Sequence, residues 1–327
     1  MTANSNYPQR GLTIEPTALK MVFMGTPDFA VPSLQALHES RHQVVLVLTQ
    51  PDRPRGRGRK IMPSPVKEAA VRFGYDLLQP ERVSTPAVHD LICDLKPDLL
   101  VVVAFGQILP LSLIHIPQYQ AINVHASLLP RYRGAAPIQW ALIKGETETG
   151  VTTMAMDAGM DTGDLLLSAP VSIAQNDTAA TLHDTLAREG ANLLLETIER
   201  LLMGKLDPRP QDPANVSYAP LLKKGDGRIN WELSAKEIEN FIRGVTPWPG
   251  AFTFCDDRRL KIYKSKHLVK EIREAPGTVL MSFPDELLVA TGAGALLIEE
   301  LQGASGKCMA TKDYLCGCSM EPGTVLT

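Results

Sequence analysis

The sequence predicts a doubly wound, Rossmann-like α/β domain followed by a smaller OB-like β-barrel. Three observations carry this expectation. Short, continuously apolar runs alternate with helical patterns up to about residue 205. A proline-rich stretch at 206–222 then interrupts all periodicity. Beyond it, short strand-like runs are separated by Gly, Pro and Asp.

The first strand is read in "LKMVFMG" (19–25) and the second in "QVVLVLT" (43–49), with a helix in "SPVKEAAVRFG" (64–74). "DLICDLKP" and "DLLVVVAF" (90–105) add a helix and a fully apolar strand. Strands without polar alternation, separated by helices, form a mostly parallel sheet covered on both faces. The longest helical pattern runs from Thr178 to Lys205 and ends at Gly204 and Lys205. The expected organisation is therefore a polar tail (1–18), an α/β domain (19–205), a linker (206–222) and a barrel domain (223–327) that opens with one short helix at 234–245.

Composition excludes several classes. A net charge of −3 requires any nucleic-acid surface to be a local patch. No run approaches the roughly 18 apolar residues of a membrane span, and the first 20 residues lack an apolar signal core, so a cytoplasmic location and no membrane are expected. Five cysteines, an odd number, fit a reducing compartment. Cys308, Cys316 and Cys318 lack a C-x-x-C pair, so no metal is expected. The turn "GTPDF" (25–29) carries one Gly where a dinucleotide fingerprint needs three, so NAD is not expected.

In "INVHASLLPRYRGAAPIQW" (122–140), Asn123 and His125 are two residues apart on a strand and so share a face near its C-terminal end, where open α/β sheets bind ligands. Taken alone, the pair reads more readily as a turn cap and a satisfied core histidine. The loop "MDAGMDTGDLL" (156–166) adds three aspartates, of which turn formation explains one or two. An amide, an imidazole and a carboxylate are the parts of an acyl transfer to an amine. Ser127 has no nucleophile-elbow context and Cys93 sits in a helical pattern, so direct attack by the substrate is favoured over a covalent intermediate.

Together with "FMGTPDFAVPSLQAL", "TQPDRPRGRGRKIMPSPVKEAA", "NVHASLLPRYRGAAPIQWALIKGE" and "GVTPWPGAFT", these segments make the chain from residue 19 onward resemble the methionyl-tRNA formyltransferase family. The resemblance implies formyl transfer from 10-formyltetrahydrofolate to the α-amino group of initiator Met-tRNA. By matching motif, it implies Asn123, His125 and Asp161 as the catalytic set. It also implies Ser127, Leu128, Leu129 and Pro130 as the folate loop, with Phe105 and Gly106 bordering the same pocket. Ala126 stands where the family usually has Gly. An ordinary strand φ is expected there, because a positive φ would strain Ala by roughly 1 kcal/mol.

Two basic stretches follow from the sequence. "PDRPRGRGRK" (51–60) carries Arg53, Arg55, Arg57, Arg59 and Lys60 against one acid, and the resemblance implies that it contacts tRNA. In "RRLKIYKSKHLVK" (258–270), Leu260 and Ile262 can face a barrel core while Arg259 and Lys261 face outward as an RNA platform. A monomer is expected. Two other readings remain: the same folate chemistry on a small amine, which needs neither basic stretch, and an RNA-binding module without catalysis, which needs no intact trio.

Overall fold

The structure, a computed structural model, describes residues 18–55, 60–282, 286–304, 306–318 and 320–327. Residues 1–17, Arg57 and Arg59 lie outside the described residues, as do the side chains of Arg55 and Lys60. The chain forms two compact units. One comprises residues up to Gly134 with Thr149–Val171 and His183–Tyr218, and the other Ala135–Glu148, Ser172–Leu182 and Ala219–Thr327.

The first unit is built on β1 (Lys20–Gly25), β2 (Gln43–Leu48), a hairpin of β3 (Arg53–Arg55) and β4 (Lys60–Met62), β5 (Leu77–Leu78), β6 (Leu99–Val103), β7 (Ala121–His125), β8 (Glu148–Ala155) and β9 (Leu165–Ser172). Its seven-stranded sheet has the order β5-β2-β1-β6-β7-β8-β9. The chain runs outward from β1 to β5, then restarts at β6 and runs outward the other way, so β1 and β6 flank the topological switch point. β5 to β7 pair in parallel, and β8 pairs antiparallel to β7. Every residue of β6 is buried, as its unbroken apolar run requires of a strand covered on both faces.

Helices α1 (Val31–Glu39), α2 (Pro65–Phe73) and α3 (Pro86–Leu95) make the crossovers. α2 shows why the sequence folds locally: Ser64 Oγ accepts from Lys67 N at 3.0 Å, Pro65 occupies the first turn, and Gly74 ends the helix at φ 76°. The hairpin β3–β4 was not expected from the sequence, where prolines and glycines hide a short strand pair.

α4 (Leu111–Ile114) and most of α6 (Ala179–Leu202) belong to the first unit, and in the second α5 (Pro137–Ile143) packs on α7 (Ala235–Val245). Ser234 caps α7 with Glu237 in a reciprocal box. A Cβ at Gly244 would meet Gln139 O at 2.9 Å, so this helix pair approaches too closely for a side chain there. Strands β10 (Ala251–Cys255), β11 (Arg258–Leu268), β12 (Val279–Met281), β13 (Leu287–Ala290), β14 (Ala295–Gln302) and β15 (Met309–Ala310) form an antiparallel sheet in the order β10-β11-β14-β13-β12, with β15 on β14. The last residues close it. Phe254 and Thr327 exchange backbone hydrogen bonds on the β10 side, and Val279 N donates to Thr324 O on the β12 side. The curled sheet is thus a barrel, as expected. Leu260 and Ile262 are buried in its core, matching their period-2 spacing.

One titratable pair ties α6 to the turn after β1. His183 Nε2 lies 3.2 Å from Asp28 Oδ1, and Nδ1 lies 3.0 Å from Asp184 Oδ1. The hydrogen bond that the imidazole donates to Asp28 raises the ring above its ordinary range despite burial, and the same bond lowers the Asp28 carboxyl. A raised folded-state value stabilises fully below the unfolded value of about 6.5 and is lost as pH rises through the higher folded value. Thermal unfolding of His183→Gln against the unaltered chain should show a gap widest near about pH 6 that narrows toward about pH 9. A gap independent of pH would contradict this role.

Candidate active site

β7 supplies the amide and the imidazole. Asn123 pairs with Val102 of β6 and Met154 of β8, and His125 pairs with Thr152 of β8. The Asn123 side chain is half-buried, and His125 is buried. His125 Nε2 lies 2.9 Å from Tyr132 O, and Nδ1 lies 3.6 Å from Asp161 Oδ2. An oxygen faces each ring nitrogen. Only the Nε2 contact is at hydrogen-bond distance; the approach of Nδ1 to the Asp161 carboxylate is a longer, electrostatic one.

The turn after β7 is held down on β8. Thr152 Oγ1 donates to Ser127 O at 2.7 Å and accepts from Leu129 N at 3.2 Å, and Ser127 Oγ donates to Arg131 O at 2.6 Å. Ala126 is absent from the positive-φ residues, so the methyl group in place of Gly is accommodated without left-handed strain. The strain lies instead at Tyr132 (φ 61°) and Asp161 (φ 54°).

The aspartate loop divides its labour. Asp157 Oδ1 accepts from Gly159 N at 3.0 Å and Thr162 Oγ1 at 2.7 Å, which builds the turn. Asp161 Oδ2 accepts from Gly134 N at 2.8 Å while facing His125. Asp164 is exposed, and its backbone oxygen accepts from Ala155 N. β8 runs antiparallel and ends with Ala155 opposite Ile122, and the loop runs back from there until the Asp161 carboxylate faces His125.

A cavity of about 350 Å³ opens at the switch point, lined by Thr26, Gln50, Arg53, Ala104, Phe105 and Gly106 among others. Thr26 Oγ1 donates to Phe105 O at 2.8 Å, and Gln50 Nε2 reaches Phe105 O and Gly106 O at 3.3 and 3.1 Å. Of the residues expected at a folate site, Phe105 and Gly106 line this cavity, whereas Ser127, Leu128, Leu129 and Pro130 form the turn after β7. Among the described residues, no group of three or more His, Cys, Asp or Glu is arranged to hold a metal ion.

Comparison with known proteins decides the family. The formyl transferase profile matches residues 19–198, and the profile of the formyl transferase C-terminal domain matches residues 221–319. A methionyl-tRNA formyltransferase from Geobacter metallireducens is 52% identical over 305 residues, covering 93% of this chain and 97% of that protein. The chain belongs to the methionyl-tRNA formyltransferase family. It is a formyl-transferring enzyme. A second methionyl-tRNA formyltransferase, from Caldanaerobacter subterraneus, is 49% identical and covers 94% of this chain and all of its own length. An N-formyltransferase from Helicobacter canadensis, solved in complex with folinic acid and dTDP-3-aminofucose, shares the fold. Its TM-score is 0.65 at 20% identity, with 86% of this chain and 98% of that one covered.

The enzyme's basic residues take up distinct positions. Arg53 is exposed, and its Nη2 donates to Gln50 Oε1 at 3.3 Å on the cavity wall. Arg55 and Lys60 are the paired ends of the hairpin, while Arg57 and Arg59 lie outside the described residues. In the barrel, Arg259 is half-buried with its guanidinium 3.7 Å from the centre of the Phe252 ring, and Lys261 is half-buried opposite Phe252.

The segment 206–222, expected as a linker, also serves the site. Leu165 and Arg209 exchange backbone hydrogen bonds, Tyr132 N donates to Ser217 Oγ at 2.9 Å, and Arg133 N donates to Ser217 O. Ser217 and Gln211 escaped the sequence reading because a proline-punctuated segment carries no periodicity that would mark a contact.

Gly163 is a steric requirement of the aspartate loop, since a Cβ there would lie 1.8 Å from Ala155 O. Gly163→Ala should push the loop off β8 and lower kcat for formyl transfer by roughly tenfold or more. Steady-state kinetics checks this, and an unaltered kcat would show that the loop can shift without consequence.

Proposed function

We propose that the enzyme moves the formyl group of 10-formyltetrahydrofolate to the α-amino group of methionine on initiator tRNA, for translation initiation. The observation that carries this reading is the approach of Asp161 to His125, two residues beyond Asn123 on β7, in a chain whose named relatives share about half its residues. The folinic acid held by the Helicobacter canadensis protein supports a folate donor.

The reaction needs little activation of its nucleophile. An α-amino group titrates near about 7.7 to 8.0, so a usable fraction is neutral near pH 7. The amine attacks the formyl carbon, a new C–N bond forms, and the carbonyl oxygen becomes an oxyanion. The Asn123 amide and the His125 ring stabilise that charge, and Asp161 orients and charge-balances the ring. The bond from the formyl carbon to the folate nitrogen then breaks. That nitrogen gains a proton while the amine loses one, and His125, directly or through water, carries it. Ser127, Leu128, Leu129 and Pro130, with Phe105 and Gly106, border the folate. Arg53, Arg55, Arg57, Arg59 and Lys60, with Arg259 and Lys261, meet tRNA phosphates.

The test supplies purified full-length enzyme with labelled donor and, separately, Met-tRNA, glycinamide ribonucleotide and an amino-sugar nucleotide. Label should enter Met-tRNA alone. His125→Asn should lower kcat by on the order of 100-fold while leaving tRNA affinity nearly unchanged. Comparable transfer to a small amine would overturn the acceptor, and near-normal turnover by His125→Asn would overturn the trio.

Neutralising Arg55, Arg57 and Arg59 together should weaken Met-tRNA binding and flatten its salt dependence by roughly one unit of log–log slope per lost phosphate contact. Binding isotherms over a salt series measure this. An unchanged slope would assign the stretch to bulk solvent.

A further inference from the structure

We propose that Gln211 is a positioning residue that holds the aspartate loop in the conformation presenting Asp161 to His125. The inference rests on the reading that the His125–Asp161 pair serves formyl transfer.

Gln211 uses both ends of its amide. Its Nε2 donates to Asp161 O and to Gly163 O, each at 2.8 Å. Its Oε1 accepts from Arg133 Nε at 3.0 Å and from Arg133 Nη2 at 2.7 Å. The orientation is fixed chemically: reversing the amide would set its NH₂ against a guanidinium and its oxygen against two carbonyls. Arg133 is 9% exposed, so its pairing is desolvated and Gln211 is held from behind.

The consequence falls on Asp161. Its backbone is left-handed at φ 54°, a conformation uncommon outside glycine, though aspartate tolerates it better than most residues. Gln211 grips the carbonyls on both sides of Thr162, from Asp161 to Gly163. That fixes the loop from which the Asp161 carboxylate accepts from Gly134 N and approaches the imidazole. Arg133 and Gly134 are consecutive, so one short segment holds the Asp161 carboxylate directly and its backbone through Gln211.

A simpler role, satisfying Arg133 alone, makes a different prediction. In Gln211→Glu an oxygen still faces Arg133, but the donors to Asp161 O and Gly163 O are gone. In Gln211→Met both are lost. The experiment measures kcat and KM for donor and Met-tRNA with the full-length enzyme, with melting temperatures alongside. Both variants should lose roughly 10- to 100-fold in kcat while each KM stays within about twofold, since binding surfaces are untouched. In an Asp161→Asn background, Gln211→Met should cost less than about a further twofold, because its effect passes through the carboxylate already removed.

Wild-type turnover in Gln211→Glu would overturn the inference and leave Gln211 as a partner of Arg133 alone. A full multiplicative loss in the Asp161→Asn background would also overturn it. Near-normal turnover of Asp161→Asn by itself would instead remove the reading of the site on which the inference stands. Gln211→Glu differs by one atom type, so it keeps the test open if Gln211→Met does not fold.

Discussion

The left-handed backbone at Asp161 is the constraint on which the site depends. A non-glycine residue at φ 54° costs on the order of 1 to 3 kcal/mol, so it persists only where neighbours over-determine it. They do so from three directions. Gly134 N holds the carboxylate, Asp157 folds the turn before it, and Gln211 holds the carbonyls at and after it. Tyr132 (φ 61°) and Ala104 (φ 47°) carry the same strain at the exits of β7 and β6. Left-handed residues also occur away from the site, at Lys96, Gln120 and Asp256, so it is the hydrogen bonds gathered on Asp161 rather than the left-handed backbone alone that mark this loop.

The fold was legible where burial dictates composition. β6 reads as "LLVVV" because both its faces are covered, and Leu260 and Ile262 alternate with Arg259 and Lys261 because one face of β11 is core. Direction and closure were not legible. Nothing in β8 says that it turns antiparallel on β7, since a buried strand between two neighbours has the same content either way. Barrel closure by Thr324–Thr327 rests on backbone hydrogen bonds, which leave no trace in side-chain pattern.

The site was legible in part for a related reason. Asn123 and His125 share a strand, so a period of two places them on one face without tertiary information. Choosing among Asp157, Asp161 and Asp164 is beyond the residue pattern itself, and it was the family resemblance that singled out Asp161. All three sit in one loop of turn-forming residues, and only the distances separate the turn builder from the carboxylate facing the ring. Gln211 was invisible because its partners Arg133, Asp161 and Gly163 are all about 50 or more residues away. Its proline-rich surroundings looked like a connection, yet prolines also stiffen a segment that must run along a surface in one conformation.

The basic residues show how charge pattern and function separate. In sequence, Arg259 and Lys261 form an outward stripe, but the Arg259 guanidinium lies 3.7 Å from the centre of the Phe252 ring and its Nε has no hydrogen-bond partner. A stacked guanidinium has already surrendered rotamer freedom, so a phosphate meeting its outer edge would cost less ordering than one meeting a free lysine. Arg53 is different. Its Nη2 reaches Gln50, whose own amide holds Phe105 O and Gly106 O on the cavity wall. A phosphate that drew Arg53 away would free Gln50 Oε1 at the rim of the cavity. In a molecule of net charge −3, such local couplings rather than an overall field must set where a polyanion bears on the site.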